Sequence, residues 1–473
     1  MESETKRLSP FMIQCFVSAG VTFNMAGMGL VMGFVTGLLP QLRRPDSIIQ
    51  IDDASASWIA SIPGFAVIVG NVIAPSIMGT SGRRIANLCS LAVSAGGWLC
   101  IIFSNTVHIL FLARFLQGMG IGMIAALGPV LIAEYTSPKN RGLFLMSISV
   151  NVSVGVFAIQ TLGVYFHWKT CALICIGIIL FTALLVLLSP ESPTFLADKE
   201  RYDECRKTFM YLRGDSENEE LEKMIEARML ANKEQIDEVE TIKEKVLSKV
   251  KYLRQTLKKK EFYKPILIMF HVFTMAQWSG VNILTSFTTD LFENVIGLDS
   301  GMNIPLMIVI IGVLRIIENF VGMVFIKTLK RRVMLFSTIG LNIFGLLAVA
   351  AFTYAKENDW VSFTPTVGLL LIHVHMFSVA TGAIPLSYVL SGELFPMEYK
   401  GLCGGISMLF FSLNLFVNMK TVILLFNLWG IYGTYCLYAG VLSYCLVVVG
   451  VLCPETKDRT LLDIEEEFRG KKN

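Results

Sequence analysis

A strongly charged stretch, residues 191–262, interrupts a 473-residue chain that is otherwise a succession of long apolar runs. The runs fall at 11–38, 57–79, 86–104, 107–133, 143–166 and 170–189, then at 264–292, 303–326, 333–355, 362–391, 402–426 and 431–453. About 20 apolar residues cross a hydrocarbon core of ~30 Å as a helix, and lipid offers no partner to a free backbone N–H or C=O. Runs of this length, without the period-two alternation of a barrel strand, specify an all-α membrane protein with twelve transmembrane helices, six on each side of the charged stretch. A 54% hydrophobic content and a mean hydropathy of +0.61 exceed what one soluble core can hide. The net charge of +3 is too small for a polyanion binder, so the lipid bilayer is an expected partner and nucleic acid is not.

Basic residues set the orientation. With the N-terminus inside, the inner loops carry Lys6, Arg7, Arg83, Arg84, Lys139, Arg141, the whole charged stretch, Lys327, Lys330, Arg331, Arg332 and Lys400; the outer loops carry Arg43, Arg44, Lys169 and Lys356. The excess of Lys and Arg in cytoplasmic loops then places both termini in the cytoplasm. MESETKRLSP leads into an apolar run without a small-residue cleavage site, so Phe11 onward reads as a first span. The cysteines form no CxxC pair and read as small core residues.

The two halves repeat each other. GRR (Gly82, Arg83, Arg84) follows the second run and KRR (Lys330, Arg331, Arg332) the eighth. EYTSPKNRG, after the fourth run, holds Glu134, Arg141 and Gly142; ELFPMEYKG, after the tenth, holds Glu393, Lys400 and Gly401 at the same spacing. PESPTFL, with Glu191, closes the sixth run, and PETKDRTL closes the twelfth. Two like-oriented six-helix halves are the architecture of transporters that rock around a central site. The expected organisation is an N-terminal bundle 1–190, a cytoplasmic helical linker 191–262, a C-terminal bundle 263–454 and a cytoplasmic tail 455–473. Inside the linker, one helix should follow Asp198 and end at Gly214, a second should open at a Ser216–Glu219 capping box, and a third should run from Gln235 to Lys258.

These blocks, with RFLQGMGIG (Arg114–Gly122), QWSGVN (Gln277–Asn282) and IPLSYVLSGELFP (Ile384–Pro396), resemble the sugar-porter branch of the major facilitator superfamily over nearly the full chain. PESPTFL and LSYVLSGELFP are most similar to insect facilitated trehalose transporter-like proteins. The resemblance implies two pseudo-symmetric six-helix bundles and facilitative transport of a sugar or related polyhydroxylated solute by alternating access. It implies a multi-pass plasma-membrane protein working as a monomer without a cofactor. It also implies an ion-pair network at the cytoplasmic face, formed by Arg83, Arg84, Glu134, Arg141 and Glu191 of one half and Arg331, Arg332, Glu393 and Lys400 of the other. Such a network would tighten as the halves close there, with the linker helices latching beneath both. An exposed pair contributes ~0.2–1 kcal/mol, whereas moving an equilibrium from 1:99 to 99:1 takes ~5.5 kcal/mol, so several pairs must act together. A purely topological role accounts for the arginines and leaves the two glutamates unexplained.

In sugar porters, amides and aromatic rings of the central helices hold the hydroxyls and ring faces. Gln277 and Asn282 match that pattern, whereas Ala276, Ser149, Tyr388, Phe411 and Ser412 stand where two glutamines, a tryptophan, an asparagine and a tryptophan are usual. Arg315 stands where an asparagine is usual, and a charge at mid-membrane costs at least ~2.5–3.5 kcal/mol on insertion scales. Glu318 is three residues further on. Two readings stay open: a closed Arg315–Glu318 pair filling sugar volume, or a pocket in which Arg315 and Glu318 meet a polyhydroxylated or anionic ligand. The changed contacts also leave open a porter of a non-sugar organic solute, or a nutrient sensor with little flux.

Proton-driven relatives carry an aspartate opposite the arginine matching Arg114; Val35 stands there, which favours facilitated diffusion. Gly382 and Pro385 are expected bending points of the tenth run. His373 and His375 point to different sides of a helix and make a poor metal pair. With no HExxH, GxSxG or phosphate-binding glycine loop, neither enzyme activity nor a metal is expected.

Overall fold

The computed structural model describes residues 9–214, 217–236, 256, 259–297, 303–360, 365–396, 399–457, 459 and 461–469. Six long helices come first: α1 (Pro10–Leu42), α2 (Asp53–Thr80), α3 (Arg83–Ile102), α4 (Val107–Tyr135), α5 (Pro138–Tyr165) and α6 (Trp168–Leu188). Ser9 and Asp52 open the first two by accepting the N–H of Met12 and Ser55, as N-cap side chains do. The charged stretch follows as α7 (Pro193–Asp198), α8 (Tyr202–Arg213) and α9 (Asn218–Ile236). The helix after Asp198 ends at Gly214 as the sequence predicts. Ser216 and nearly all of the third expected linker helix lie outside the described residues.

In the second half the seventh run is broken into α10 (Lys260–Trp278), α11 (Val281–Ser286) and α12 (Thr288–Ile296). The next runs form α13 (Ile304–Thr328) and α14 (Arg331–Glu357). The tenth run is α15 (Pro365–Ser378), a π-helical turn at Val379–Ala383, and α16 (Ile384–Glu393). The last two runs join as α17 (Lys400–Leu452), turned at Gly430, whose φ of 65° a side chain would resist; α18 (Leu461–Arg469) follows. Among the described residues, ten helical stretches are long and apolar enough to cross a membrane. Reading α17 as two spans and α10–α12 as one broken span brings that to the twelve expected.

The regular geometry of the tenth run fails where Gly382 and Pro385 suggest. Pro385 supplies no N–H and crowds the turn before it, and the wide π-helical turn absorbs that conflict. Gly382 is also a packing requirement, because a Cβ there would lie 2.1 Å from Thr338 Cβ. Outward-facing stripes such as Leu173, Leu180, Leu184 and Leu188 of α6 stay exposed, the surface a lipid solvent would cover.

The two termini and α7–α9 share one face, here the terminal face; at the foot of α1, Gln14 Nε2 donates to Leu212 O of α8 at 3.1 Å. The halves meet toward the far face. There Gly64 of α2 lies so close to α17 that a Cβ would sit 2.8 Å from Phe416 N. Gly64→Val should therefore force the far-face seam apart. In a background lacking the exposed Cys15 and Cys436, labelling of Thr36→Cys by an impermeant thiol reagent should rise severalfold on adding Gly64→Val.

Candidate functional site: a central cavity and two clamps

A cavity of about 120 Å³ lies between the halves. Its wall is mostly apolar, with Met25, Met28 and Met32 of α1 on one side and Met376, Ile384 and Phe411 on the other. The polar groups are few: Ser149, Ser153, Gln277, Asn282, Thr285, Arg315, Asn319, Ser387 and Tyr388. That pairing of apolar wall and sparse polar anchors is the usual make-up of a small-molecule site.

The break after α10 positions two of the anchors. Gly280 takes a left-handed φ of 86°, turning the chain so that Asn282 Nδ2 donates to Gln277 O at 3.2 Å and to Gln277 Oε1 at 3.1 Å. The same amide reaches Asn418 Oδ1 at 2.8 Å, and Asn418 is held in turn by the Tyr438 hydroxyl at 2.9 Å. Ser279 O, freed by the break, accepts from His375 Nε2 at 2.7 Å and Asn342 Nδ2 at 3.3 Å. His375 is thus a structural donor to the break, while His373 faces a different helix.

Arg315 reaches into the cavity, where Nη1 donates to Thr285 Oγ1 at 3.2 Å. Asn319, one turn on, donates to Arg315 O at 2.7 Å and across the halves to Ser153 Oγ at 3.0 Å. Glu318 is not among the residues that line the cavity, and no direct ion-pair contact joins it to Arg315, although the two charges lie near enough to attract each other. Three residues along a helix leave the two side chains about 60° apart around the axis. Glu318 is thereby directed to α15, with Oε1 3.5 Å from His373 Nε2. The closed Arg315–Glu318 pair is absent, and Arg315 belongs to the cavity.

Beyond the cavity, toward the far face, the halves are joined by hydrogen bonds. Thr36 Oγ1 donates to Thr285 O at 2.8 Å, Ser286 Oγ to Met32 O at 2.9 Å and Gln160 Nε2 to Thr285 O at 2.9 Å. Further out, Arg43 pairs with Asp290 at 2.7 Å, Ser57 Oγ donates to Lys420 O at 2.8 Å, and Asn427 Nδ2 donates to Asp53 Oδ2 at 2.8 Å. Lys420 Nζ rests 3.7 Å above the Trp58 ring, well away from Arg315. The far side is the sealed side, and the cavity opens toward the terminal face.

At the terminal face each half carries the same clamp. In the first, Glu191 Oε1 accepts from the N–H of Arg83 at 3.0 Å and of Arg84 at 3.2 Å, capping α3, whose preceding Gly82 has no side chain to do so. In the second, Glu455 accepts from Arg331 N at 2.8 Å and Arg332 N at 3.1 Å, capping α14. Arg83 Nη2 meets Glu134 at 3.4 Å and Asp198 at 3.3 Å; Arg331 Nη2 meets Glu393 at 2.8 Å. Ser192 and Thr456, each next to its capping glutamate, donate to Glu134 and Glu393. Arg84 Nη2 donates to Leu187 O at the end of α6, as Arg332 Nη2 donates to Gly450 O at 2.7 Å near the end of α17. Arg141 has no carboxylate within ion-pair reach among the described residues, and the Lys400 side chain lies outside them.

The expected network therefore exists as two closed sets, each inside its own half. The reason is proximity: the partner of each Arg-Arg pair sits on the loop that ends its own six-helix bundle. The linker likewise docks on the first half, with Arg213 Nη2 donating to Glu134 O at 3.1 Å; in the second half Arg469 of α18 lies 3.6 Å from Glu261 of α10. Sequence reasoning missed Glu455, Ser192, Thr456 and Asn418. The first three were readable from the repeat, because PES and PET place a glutamate and a hydroxyl at equal positions.

A cavity between two like six-helix halves, sealed on one side, defines a solute transporter of the major facilitator class. The chain overlays the inward-open conformation of the xylose transporter XylE from E. coli with a TM-score of 0.75 at 15% identity, covering 96% of this chain and 99% of that one. The model of the "Sugar (and other) transporter" family matches residues 13–468, and the chain belongs to that family, whose members move solutes and do not transform them. It is 27% identical over 480 residues to the facilitated trehalose transporter Tret1 of Apis mellifera ligustica, covering 99% of this chain and 90% of that protein. It is 28% identical over 432 residues to sugar transporter ERD6-like 6 of Arabidopsis thaliana, covering 87% of this chain and 82% of that one.

Burial alone would raise the Glu455 carboxyl, but N–H bonds from Lys457, Arg332, Arg331 and Thr456 outweigh it and hold its pKa below the ordinary value. A depressed carboxyl stabilises the fold above its unfolded pKa, near ~4.3, and that contribution is lost as pH falls through the lower folded value. Glu455→Gln should cost about 1 kcal/mol, as removal of a helix cap does. In melting experiments the gap between parent and variant should be constant from neutral pH down to about pH 5 and should shrink below about pH 4.

Proposed function

We propose that the protein carries a sugar or closely related polyhydroxylated solute across the membrane by facilitated diffusion, the two halves rocking around the central cavity. The observation that carries this reading is the cavity itself, lined by both halves, anchored by Gln277, Asn282, Ser149, Asn319 and Tyr388, and closed toward the far side by hydrogen bonds between the halves. The sugar-transporter relatives and the amides of the QWSGVN break support a hydroxylated solute.

We read the terminal face as cytoplasmic from the positive-inside count, which supports an inward-facing arrangement of the halves, and the sugar-porter resemblance supports a plasma-membrane location and action as a monomer. The two clamps hold each half rigid as it turns, with Arg83, Arg84, Glu134 and Glu191 in one and Arg331, Arg332, Glu393 and Glu455 in the other. Arg141, without a carboxylate partner among the described residues, stays available for contacts made when that face closes, and Gly382 and Pro385 mark where the tenth span changes shape. Uniport follows from Val35, which is fully buried and unable to carry a proton, and from Arg114, whose described partners are Val31 O, Ile59 O and the Gln117 amide.

Counterflow of labelled monosaccharides in proteoliposomes tests the reading. Exchange should persist when the proton gradient is collapsed. Asn282→Ala, which removes a cavity anchor and leaves the Asn418 and Gln277 oxygens unpaired, should lower exchange roughly tenfold or more. A chain that exchanges no mono- or disaccharide would overturn the proposal.

A further inference from the structure

We infer that the solute held in the cavity is a carboxylated monosaccharide, a hexuronate or an aldonate, gripped at its acidic end by Arg315; this rests on the sugar-transport reading above. Arg315 is the single charged side chain among the described residues that line the cavity. Its one described side-chain partner is the Thr285 hydroxyl, which contributes no charge and passes its own proton to Val281 O at 2.6 Å. The nearest acid along the helix, Glu318, attracts Arg315 through space but is turned to His373 and accepts none of its N–H groups. A guanidinium set into an apolar wall thus keeps unused N–H donors facing the space a ligand would fill.

Carboxylate is the group that suits those donors. A guanidinium presents its N–H groups in a planar fork that two carboxylate oxygens match, with hydrogen bonds about twice as strong as those of neutral acceptors. A neutral sugar would meet the charge with hydroxyl oxygens alone. A phosphate ester would bring nearly two negative charges to a wall holding one positive charge and no other cation. One acid group and one arginine balance, and Asn282, Gln277, Asn319 and Ser149 remain for the hydroxyls of a single ring.

The test uses the full chain in proteoliposomes with glucuronate and glucose as probes. Half-saturation should occur at a concentration at least about tenfold lower for glucuronate than for glucose, and net uptake of glucuronate should respond to membrane potential more strongly than net uptake of glucose. Arg315→Gln should bring the ratio of the two constants to about one or reverse it; Arg315→Lys, which keeps the charge, should retain part of the preference. Glucose exchange that glucuronate fails to inhibit, or an Arg315→Gln variant that weakens both probes alike, would overturn the carboxylate inference and leave sugar transport standing. If neither probe, nor any other sugar, is exchanged, the sugar reading itself falls and this inference with it.

Discussion

In hydrocarbon, every backbone group released from a helix must find a partner within the protein, and this constraint decides where the chain can be irregular. The seventh span is broken, yet its freed Ser279 carbonyl is met by His375 and Asn342, both fully buried. The tenth span holds a proline within a membrane-length helix, and a π-helical turn takes up the misfit. Both irregular segments border the cavity. Irregular backbone is expensive in lipid and affordable beside a polar space, so the place where helices break is also the place where a solute can be held.

The same constraint explains the clamps. The first N–H groups of α3 and α14 have no side chain of their own to cap them, because Gly82 and Lys330 stand at the cap positions. Glu191 and Glu455 arrive from the far end of each six-helix set to do it, tying the last span of a half to its third. Each half is thereby closed on itself at the terminal face. The ion pairs stiffen two bodies, and the bonds that join those bodies lie at the cavity, as from Asn319 to Ser153, and beyond it toward the far face.

Much of this was legible in the sequence, for physical reasons that differ by element. Twelve apolar runs fix the spans because lipid permits little else, and the repeated GRR/KRR and PES/PET blocks mark the clamp residues because the same bonds are made twice. Arg315 stands out as a charge in an apolar run. The facing of Glu318 was not legible, since a 60° turn of one helix separates a pair from two independent groups. Nor was the closure of each clamp within its own half, because Arg83–Glu134 and any cross-half alternative read identically along a chain. Arg141 shows the limit of the repeat as a guide: its position is duplicated by Lys400, yet no carboxylate among the described residues accompanies it.

The far-side seam has an asymmetry of its own. Thr36, Ser286 and Ser57 donate to main-chain oxygens of Thr285, Met32 and Lys420, and Gln160 donates both to the Thr285 main-chain oxygen and to the Thr288 hydroxyl. Where the acceptor is main chain, the identity of the residue is immaterial as long as the helix keeps its path. Mutational scanning would register these donors together with Asp290, Asp53 and Thr288, which accept through side chains. It would pass over the main-chain acceptors, where lineages could diverge freely while the door still shut.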